Sequence, residues 1–268
     1  MSDLLALYRA QFRTTIAEQF QYRGALAIWM IGLVLEPVIY LSVWSAVAAS
    51  QGGSVDGFTG REFAAYFLAT MIVDHATFTW IMWEFEYWIR QGNLSPLLLR
   101  PVHPIHRQIA VNLTFKLLTL AIVVPVALVL AILFRPSFAG VQAWTVLAFI
   151  PALLMAVALR YAIEWTLALL AFWITRVSAI NQLYFVAFLF LSGQAVPLPL
   201  LPGPVAAVAE WLPFYRMLGF PVELLLGRLT PAEFALGLVA QAGWLALVVV
   251  VMNALWARGI RQYSAVGA

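Results

Sequence analysis

Ionisable side chains within apolar segments are the residues of this sequence best suited to chemistry. A charge placed inside a membrane is costly, and it commonly marks a substrate pathway or a proton relay. More often such charges are structural, because pairing lowers the cost of burying them. The sequence contains this set of candidates: Asp74, His75, Glu84, Glu86, Lys116, Arg160 and Glu164.

The spacing of these residues favours structural ion pairs. Arg160 and Glu164 are four residues apart, so they lie on one face of a helix and can pair with each other. Lys116 enters its apolar segment at about the same depth as Glu84 and Glu86, so a pair between the lysine and either glutamate is geometrically reasonable. We therefore expect these charges mainly to hold helices together.

A proton relay is the alternative interpretation of the same set. Asp74 and His75 could form a proton-linked site, and Glu84 could extend it into the relay of a proton-coupled transporter. The histidine could equally be hydrogen-bonded within a helix bundle. The sequence has no cysteine, no G-x-S-x-G motif and no convincing metal-ligand spacing, so it indicates no catalytic residue and no metal site.

The composition places these residues in a membrane protein. Of the 268 residues, 64% are hydrophobic and only 10% are charged. Soluble domains carry about 25% charged residues, so this chain cannot cover a water-exposed surface. An ordinary soluble enzyme and a disordered chain are both excluded, and the net charge of +3 does not indicate a nucleic-acid partner.

Six apolar segments predict an all-α membrane protein with six transmembrane helices in one domain, residues 1–268. A span needs about 20 apolar residues. The first predicted span carries one acid, Glu36, and the fourth is so long that it must tilt, kink at Pro151 or protrude. The predicted spans are 25–49, 63–89, 109–134, 141–174, 179–191 and 234–257.

The N-terminal residues and the basic residues predict how the chain sits in the membrane. Residues 1–23 have an amphipathic pattern that suits an interfacial helix, although a helix packed on a partner is the alternative. With the N-terminus inside, nine arginines fall on cytoplasmic segments and four on external ones. This bias predicts that both termini are cytoplasmic.

The polar segment between the second and third spans is the most informative one. Ser95 is expected to cap a short helix over residues 91–101 that Pro101 ends. Leu94, Leu97 and Leu98 would form its apolar face. Exposed leucines on a rigid loop indicate a docking site for another protein, whereas an interfacial loop on lipid headgroups is the equally weighted alternative.

A second segment, residues 193–228, is apolar but repeatedly broken by proline and glycine. Broken apolar segments at membrane depth are usually re-entrant and buried in protein, so we expect a re-entrant segment before the last span. The residues that mark it are Ser192, Gly193, Pro197, Pro202, Pro213 and Pro221.

These two segments resemble those of type-two ATP-binding-cassette (ABC) permeases, and in particular a branch of six-span bacterial permeases. The external re-entrant segment and the N-terminal interfacial helix are also similar to those of the family. One difference is that many members have an acid where this chain has Ser95. The resemblance in the polar loop rests on Arg90, Gly92, Leu94, Leu97, Leu98, Arg100, Pro101 and Val102.

The resemblance implies the permease subunit of an ATP-driven exporter in the bacterial cytoplasmic (inner) membrane. A second permease subunit, identical or related, would complete the pathway, and cytoplasmic ABC ATPases would dock on residues 91–101 as a coupling helix. Lys116 is the only lysine and does not belong to a G-x-x-x-x-G-K-[ST] motif. ATP and Mg are therefore expected on the partner, with no cofactor in this chain.

Overall fold

Helices account for nearly all of the structure, a computed structural model that describes residues 2–21, 23–174 and 176–263. A two-stranded antiparallel hairpin, β1 (Ser54–Val55) and β2 (Phe58–Thr59), interrupts them, and two short 3-10 helices occupy Leu169–Phe172 and Leu198–Leu200. The helices are α1 Ser2–Gln21, α2 Arg23–Ser50, α3 Gly60–Thr77, α4 Ile81–Arg90, α5 Ser95–Leu98, α6 Pro104–Phe134, α7 Ala143–Ala168, α8 Ser178–Leu191, α9 Gly203–Trp211, α10 Pro213–Met217, α11 Gly219–Leu225 and α12 Pro231–Gln262.

Four helical segments are long and apolar enough to cross a membrane. At 1.5 Å per residue, a helix of 30 residues reaches about 45 Å, more than a hydrocarbon core of about 30 Å. Helix α8 is also apolar but shorter. The chain is therefore a multi-pass α-helical membrane protein. The four segments are Met30–Ser50, Pro104–Phe134, Ala143–Phe172 and Pro231–Gln262.

The predicted second span, residues 63–89, is not a single helix, because the chain breaks into α3 and α4 at residues 78–80. Phe78 adopts an extended conformation with φ −54° and ψ 144°, which ends α3. The hydroxyl of Thr77 donates to the carbonyl of Val73 at 2.9 Å, so this side chain satisfies a backbone group in the last turn. Hydropathy does not detect such a break, because the residues on both sides remain apolar.

Helix α3 forms the centre of the molecule. Twelve of its 18 residues are buried, among them Phe63, Tyr66 and Phe67. A capping box starts the helix: Thr59 accepts from the Glu62 amide at 3.3 Å, and the Glu62 carboxylate accepts from the Thr59 amide at 2.8 Å. Helices α2, α6, α7 and α11 all pack against α3, so this helix holds its polar residues at the middle of the bundle.

Helix α1 packs along α6 at the start of that long helix. The hydroxyl of Tyr8 lies 3.3 Å from Nδ1 of His106. The predicted apolar stripe of α1 is only partly covered, because Leu5, Phe12 and Phe20 stay exposed within this chain. These side chains therefore keep an apolar surface free on α1.

Short helices replace a full span between α8 and α12. Gly193, with φ 91°, reverses the chain, and its carbonyl accepts from the hydroxyl of Tyr66 at 2.8 Å. The Gly219 amide then donates to the Ser192 carbonyl at 2.9 Å. Helix α11 is largely buried against α3 and α7. The broken sequence pattern thus corresponds to a folded-back segment in which α11 is buried, whereas Val208 and Trp211 of α9 remain exposed.

Candidate functional site

Arg160 is the centre of the polar site inside the bundle. Its guanidinium comes from the middle of α7, has a relative exposure of 1%, and makes three short contacts. Nε donates to Glu164 at 2.8 Å, while Nη1 donates to Asp74 at 2.6 Å and to the Thr77 hydroxyl at 2.8 Å. The expected pairing of Arg160 with Glu164 is present, and Asp74 joins the same group from α3.

Surrounding side chains satisfy the remaining acceptors of this group. Thr79 donates to Glu164 at 2.5 Å, and Tyr184 on α8 donates to the same carboxylate at 3.2 Å. The guanidinium carbon lies 4.1 Å from the ring centre of Phe188, so an aromatic face also contacts the cation. The resulting network links α3, α7 and α8. A buried charge group with this many partners holds these three helices together.

The break between α3 and α4 is what allows the network to form. Thr77 ends α3 and Thr79 lies in the break, so their hydroxyls contact Arg160 and Glu164, respectively. A continuous helix would place these two residues on different faces. The functional arrangement therefore depends on the helix end that hydropathy alone did not predict.

The predicted pair between Lys116 and Glu84 or Glu86 is wrong. Lys116 donates instead to the backbone carbonyl of Ala76 at the end of α3. Glu84 accepts from the side-chain amide of Gln108 on α6, and Glu86 pairs within α4 with Arg90 at 3.5 Å. Both carboxylates therefore have partners other than the lysine.

The residues of the alternative proton relay bond to different partners. Asp74 pairs with Arg160, whereas Nε2 of His75 lies 2.8 Å from the Thr119 hydroxyl. Glu84 contacts Gln108 in the next helix. No hydrogen bond between the described residues joins Asp74, His75 and Glu84 into a chain. The geometry therefore gives the relay no support.

A cavity of about 620 Å³ opens beside the Arg160 network. Its acidic wall includes Asp74 and also Glu36 of α2, a residue that the sequence flagged only as an acid in an apolar span. Gln194 donates to the Glu36 carboxylate at 3.1 Å, and Tyr40 donates to the same oxygen at 3.3 Å. The remaining lining residues are Ile28, Gly32, Phe78, Arg160, Phe185 and Leu189.

The polar loop between α4 and α6 forms only one turn of helix, α5. The expected N-cap at Ser95 is wrong: Leu94 is the N-cap, and the Ser95 hydroxyl instead lies 3.0 Å from the hydroxyl of Tyr263. Gly92 adopts φ 71°, a left-handed conformation that glycine tolerates best. This turn fixes the direction in which the loop leaves α4.

The expected exposed face of Leu94, Leu97 and Leu98 is also partly wrong. Leu94 is completely buried, at 0% exposure, and belongs to the core of the bundle. Leu97 and Leu98 are partly buried against that core, whereas Leu99 is 88% exposed. The turn at residue 92 rotates the loop so that its first leucine anchors it and its last leucine projects outward.

Basic residues surround a second cavity, of about 370 Å³, between this loop and α1. Arg100 and Arg107 line it, and the Arg107 guanidinium lies 5.6 Å from the ring centre of Trp88. His103 lines it too and caps α6 by accepting from the Ile105 amide at 3.2 Å. Partial burial lowers the pKa of His103, and electrostatic interaction with the neighbouring His106 lowers it further. Pro101, at the end of the loop, is exposed.

The residues that marked the broken segment lie at its turns. The Ser192 hydroxyl accepts from the Gln194 amide at 3.2 Å and helps to form the turn around Gly193. The prolines lie at or next to helix starts, where a missing amide hydrogen is tolerated, except for Pro221 inside α11. The corresponding positions are Pro197, Pro202, Pro213 and Pro221. In the described ranges, no three His, Cys, Asp or Glu side chains are grouped so that they could hold a metal ion.

Long apolar helices around a buried charge network define a multi-pass membrane protein. The match to known families is specific: the family described as "ABC-2 family transporter protein" covers residues 34–267. This chain belongs to that family, whose members are normally non-catalytic membrane subunits of ABC transporters. No curated protein matches the chain.

Proposed function

We propose that this chain is the permease subunit of an ATP-driven exporter. It would form the translocation pathway with a second permease subunit, identical or related, in the bacterial inner membrane. Two cytoplasmic ATPase subunits would bind ATP and Mg and supply the energy. The observation that carries the proposal is the family match across residues 34–267, which covers the loop, the charge network and the broken segment.

Six crossings of the bilayer would follow from the helices. Besides the four long spans, we assign one crossing to α3 with α4 and one to α8. The 14 residues of α8 reach only about 21 Å at 1.5 Å each, so the folded-back segment after it would complete the external side. Residues 193–228 would then be re-entrant, α1 would lie at the cytoplasmic interface, and both termini would be cytoplasmic, as the arginine distribution favours.

The loop of residues 91–101 is the proposed coupling helix. Leu99 projects outward, and the buried Leu94 anchors the loop to the bundle. The contact between Ser95 and Tyr263 ties the same loop to the end of α12. Closure of the ATPase subunits would displace the loop, and this displacement would therefore be transmitted to α4 and α12 together. Movement of these helices would change access to the pathway.

Purification from native bacterial membranes tests this function. The tagged chain should bring down a cytoplasmic protein with a G-x-x-x-x-G-K-[ST] motif, and the complex should hydrolyse ATP. Leu99→Ala should lower the amount of bound ATPase severalfold without lowering the thermal stability of the chain. The matched control is Leu133→Ala, because Leu133 is 68% exposed near the other end of α6.

Two results would count against the proposal. If no such ATPase accompanies the chain, the assignment as an ABC permease subunit fails. If Leu99→Ala and Leu133→Ala retain the same amount of ATPase, the coupling role of the loop fails. Transport that an uncoupler abolishes and that ATP depletion leaves intact would favour a proton-coupled carrier instead.

A further inference from the structure

The 620 Å³ cavity beside Arg160 has the size and lining of a small-molecule site. Ligand pockets typically measure about 300–1,000 Å³ and combine apolar walls with a few polar groups. Here the apolar part includes Ile28, Phe185 and Leu189, and the polar part includes Glu36 and Asp74. The cavity lies among α2, α3, α7 and α8 and opens to the surface of the chain on the α2 side, where Ile28 and Glu36 are exposed.

The charges around this cavity do not balance. Asp74 and Glu164 share the guanidinium of Arg160, so the one cation among the described residues that line the cavity is already engaged by two carboxylates. Lys116, on α6, adds a second positive charge near the group but binds the Ala76 carbonyl. Three carboxylates, counting Glu36, thus face two cations, which leaves one net negative charge.

Glu36 is the carboxylate of this group that has no counter-ion among the described residues. Gln194 and Tyr40 donate to one of its oxygens, and both donors are neutral. Within the described part of the chain, no cationic group lies within 4.0 Å of Glu36. A carboxylate at membrane depth is costly, and an opposite charge is what lowers that cost.

An aromatic ring completes a site for a cation. Phe78 and Phe185 both line the cavity, but the guanidinium carbon of Arg160 already lies 5.5 Å from the ring centre of Phe78, so Phe185 is the ring that can receive a ligand cation. The faces of aromatic rings attract cations, and a carboxylate combined with such rings is a common way to bind an alkyl- or aryl-substituted ammonium group. An apolar tail could lie against the aliphatic wall of Ile28 and Leu189.

We propose that this cavity binds a cationic amphiphile, with the positive group between Glu36 and the ring of Phe185. The identification of that ligand class as the transported substrate rests on the proposed function. Arg160 does not take part in binding directly, since it holds Asp74 in place and keeps the cavity wall rigid. The binding itself needs neither ATP nor the ATPase subunits.

The test measures binding of tritiated tetraphenylphosphonium to the full chain in phosphatidylcholine nanodiscs, after subtraction of empty discs. Tetraphenylborate, which is nearly the same size but negatively charged, is the ligand control. Glu36→Gln keeps the shape of the side chain and should raise the Kd for tetraphenylphosphonium at least tenfold. Asp56→Asn, in the exposed turn between β1 and β2, is the matched control and should leave the Kd unchanged.

Phe185→Leu is a second test that does not depend on Glu36, and it should raise the same Kd at least threefold. The proposal is overturned if Glu36→Gln binds like the parent chain, or if tetraphenylborate binds as tightly as tetraphenylphosphonium. Charge-selective binding without any associated ATPase would refute the exporter function and leave the cation site standing. An ATPase complex without charge-selective binding would refute the cation site and leave the exporter function standing.

Discussion

The largest expected effect on stability comes from removing the guanidinium of Arg160. Arg160→Gln would break two ion pairs, at 2.6 and 2.8 Å, and would leave Asp74 and Glu164 as negative charges near each other. Breaking a buried pair by removing one partner costs about 3–5 kcal/mol. For a chain of this size, 1 kcal/mol corresponds to about 2–4 °C in Tm, so the Tm should fall by about 6–20 °C.

The Tm would be followed by intrinsic tryptophan fluorescence of the purified chain in detergent. Arg160→Lys should recover less than half of the loss, because one ammonium group cannot reproduce the contacts that Nε and Nη1 make in different directions. The triple variant Arg160→Gln, Asp74→Asn, Glu164→Gln should be more stable than Arg160→Gln alone, since it removes the uncompensated charges.

The matched control is Glu86→Gln, which breaks the pair with Arg90 at 3.5 Å. Arg90 is largely exposed, and such pairs contribute at most about 0.5 kcal/mol. The reasoning is refuted if Arg160→Gln lowers the Tm no more than this control does. A triple variant less stable than Arg160→Gln would show that repulsion between the freed carboxylates is not the main cost.

Three further predictions follow from local geometry. Gly193→Ala should lower the free energy of unfolding by about 1–3 kcal/mol, because the residue has φ 91° and an added Cβ would lie 2.5 Å from the Tyr66 hydroxyl. Gly52→Ala, with φ 84° and open space around the residue, should lower it less in the same thermal assay. Thr230→Ala removes the cap of α12 and should lower the free energy of unfolding by about 1 kcal/mol. Thr230→Ser keeps a capping hydroxyl and should retain the stability of the parent chain. Equal losses in both variants would contradict a capping role. Finally, the lowered pKa of His103 means that the folded state favours the neutral imidazole. This contribution to stability is therefore fully present above about pH 6.5 and is lost as the pH falls through the folded-state pKa. His103→Asn keeps a capping side chain without a titrating group, so its Tm should fall less than that of the parent chain between pH 7 and pH 5; parallel curves would rule out His103 as the cause.

Much of the fold is predictable because the hydrophobic pattern and helix signals are local. The long helices α6 and α12 lie where apolar runs predicted them, and Thr230 with Glu233 forms a capping box that starts α12. The pair of Arg160 with Glu164 also follows from local spacing, since residues four apart share a helix face. Such features need no information about the rest of the chain.

The remaining features depend on contacts between distant residues. Asp74 meets Arg160 across 86 positions, and Lys116 binds the carbonyl of Ala76, 40 positions away, rather than a glutamate in α4. The burial of Leu94 depends on the turn at Gly92 and on the packing of the loop against the bundle. Neither can be derived from spacing along one segment.

The contact between Ser95 and Tyr263 joins residues that are 168 positions apart, so Ser95 is synthesised well before its partner. During synthesis the N-terminal parts of a chain are made and fold first, and the loop is complete long before α12 leaves the ribosome. A nascent chain that stops before α12 therefore exposes Leu99 but has no hydroxyl partner for Ser95. The face that carries the loop gains this contact only when α12 is in place, so the loop is completed only after α12 has been synthesised.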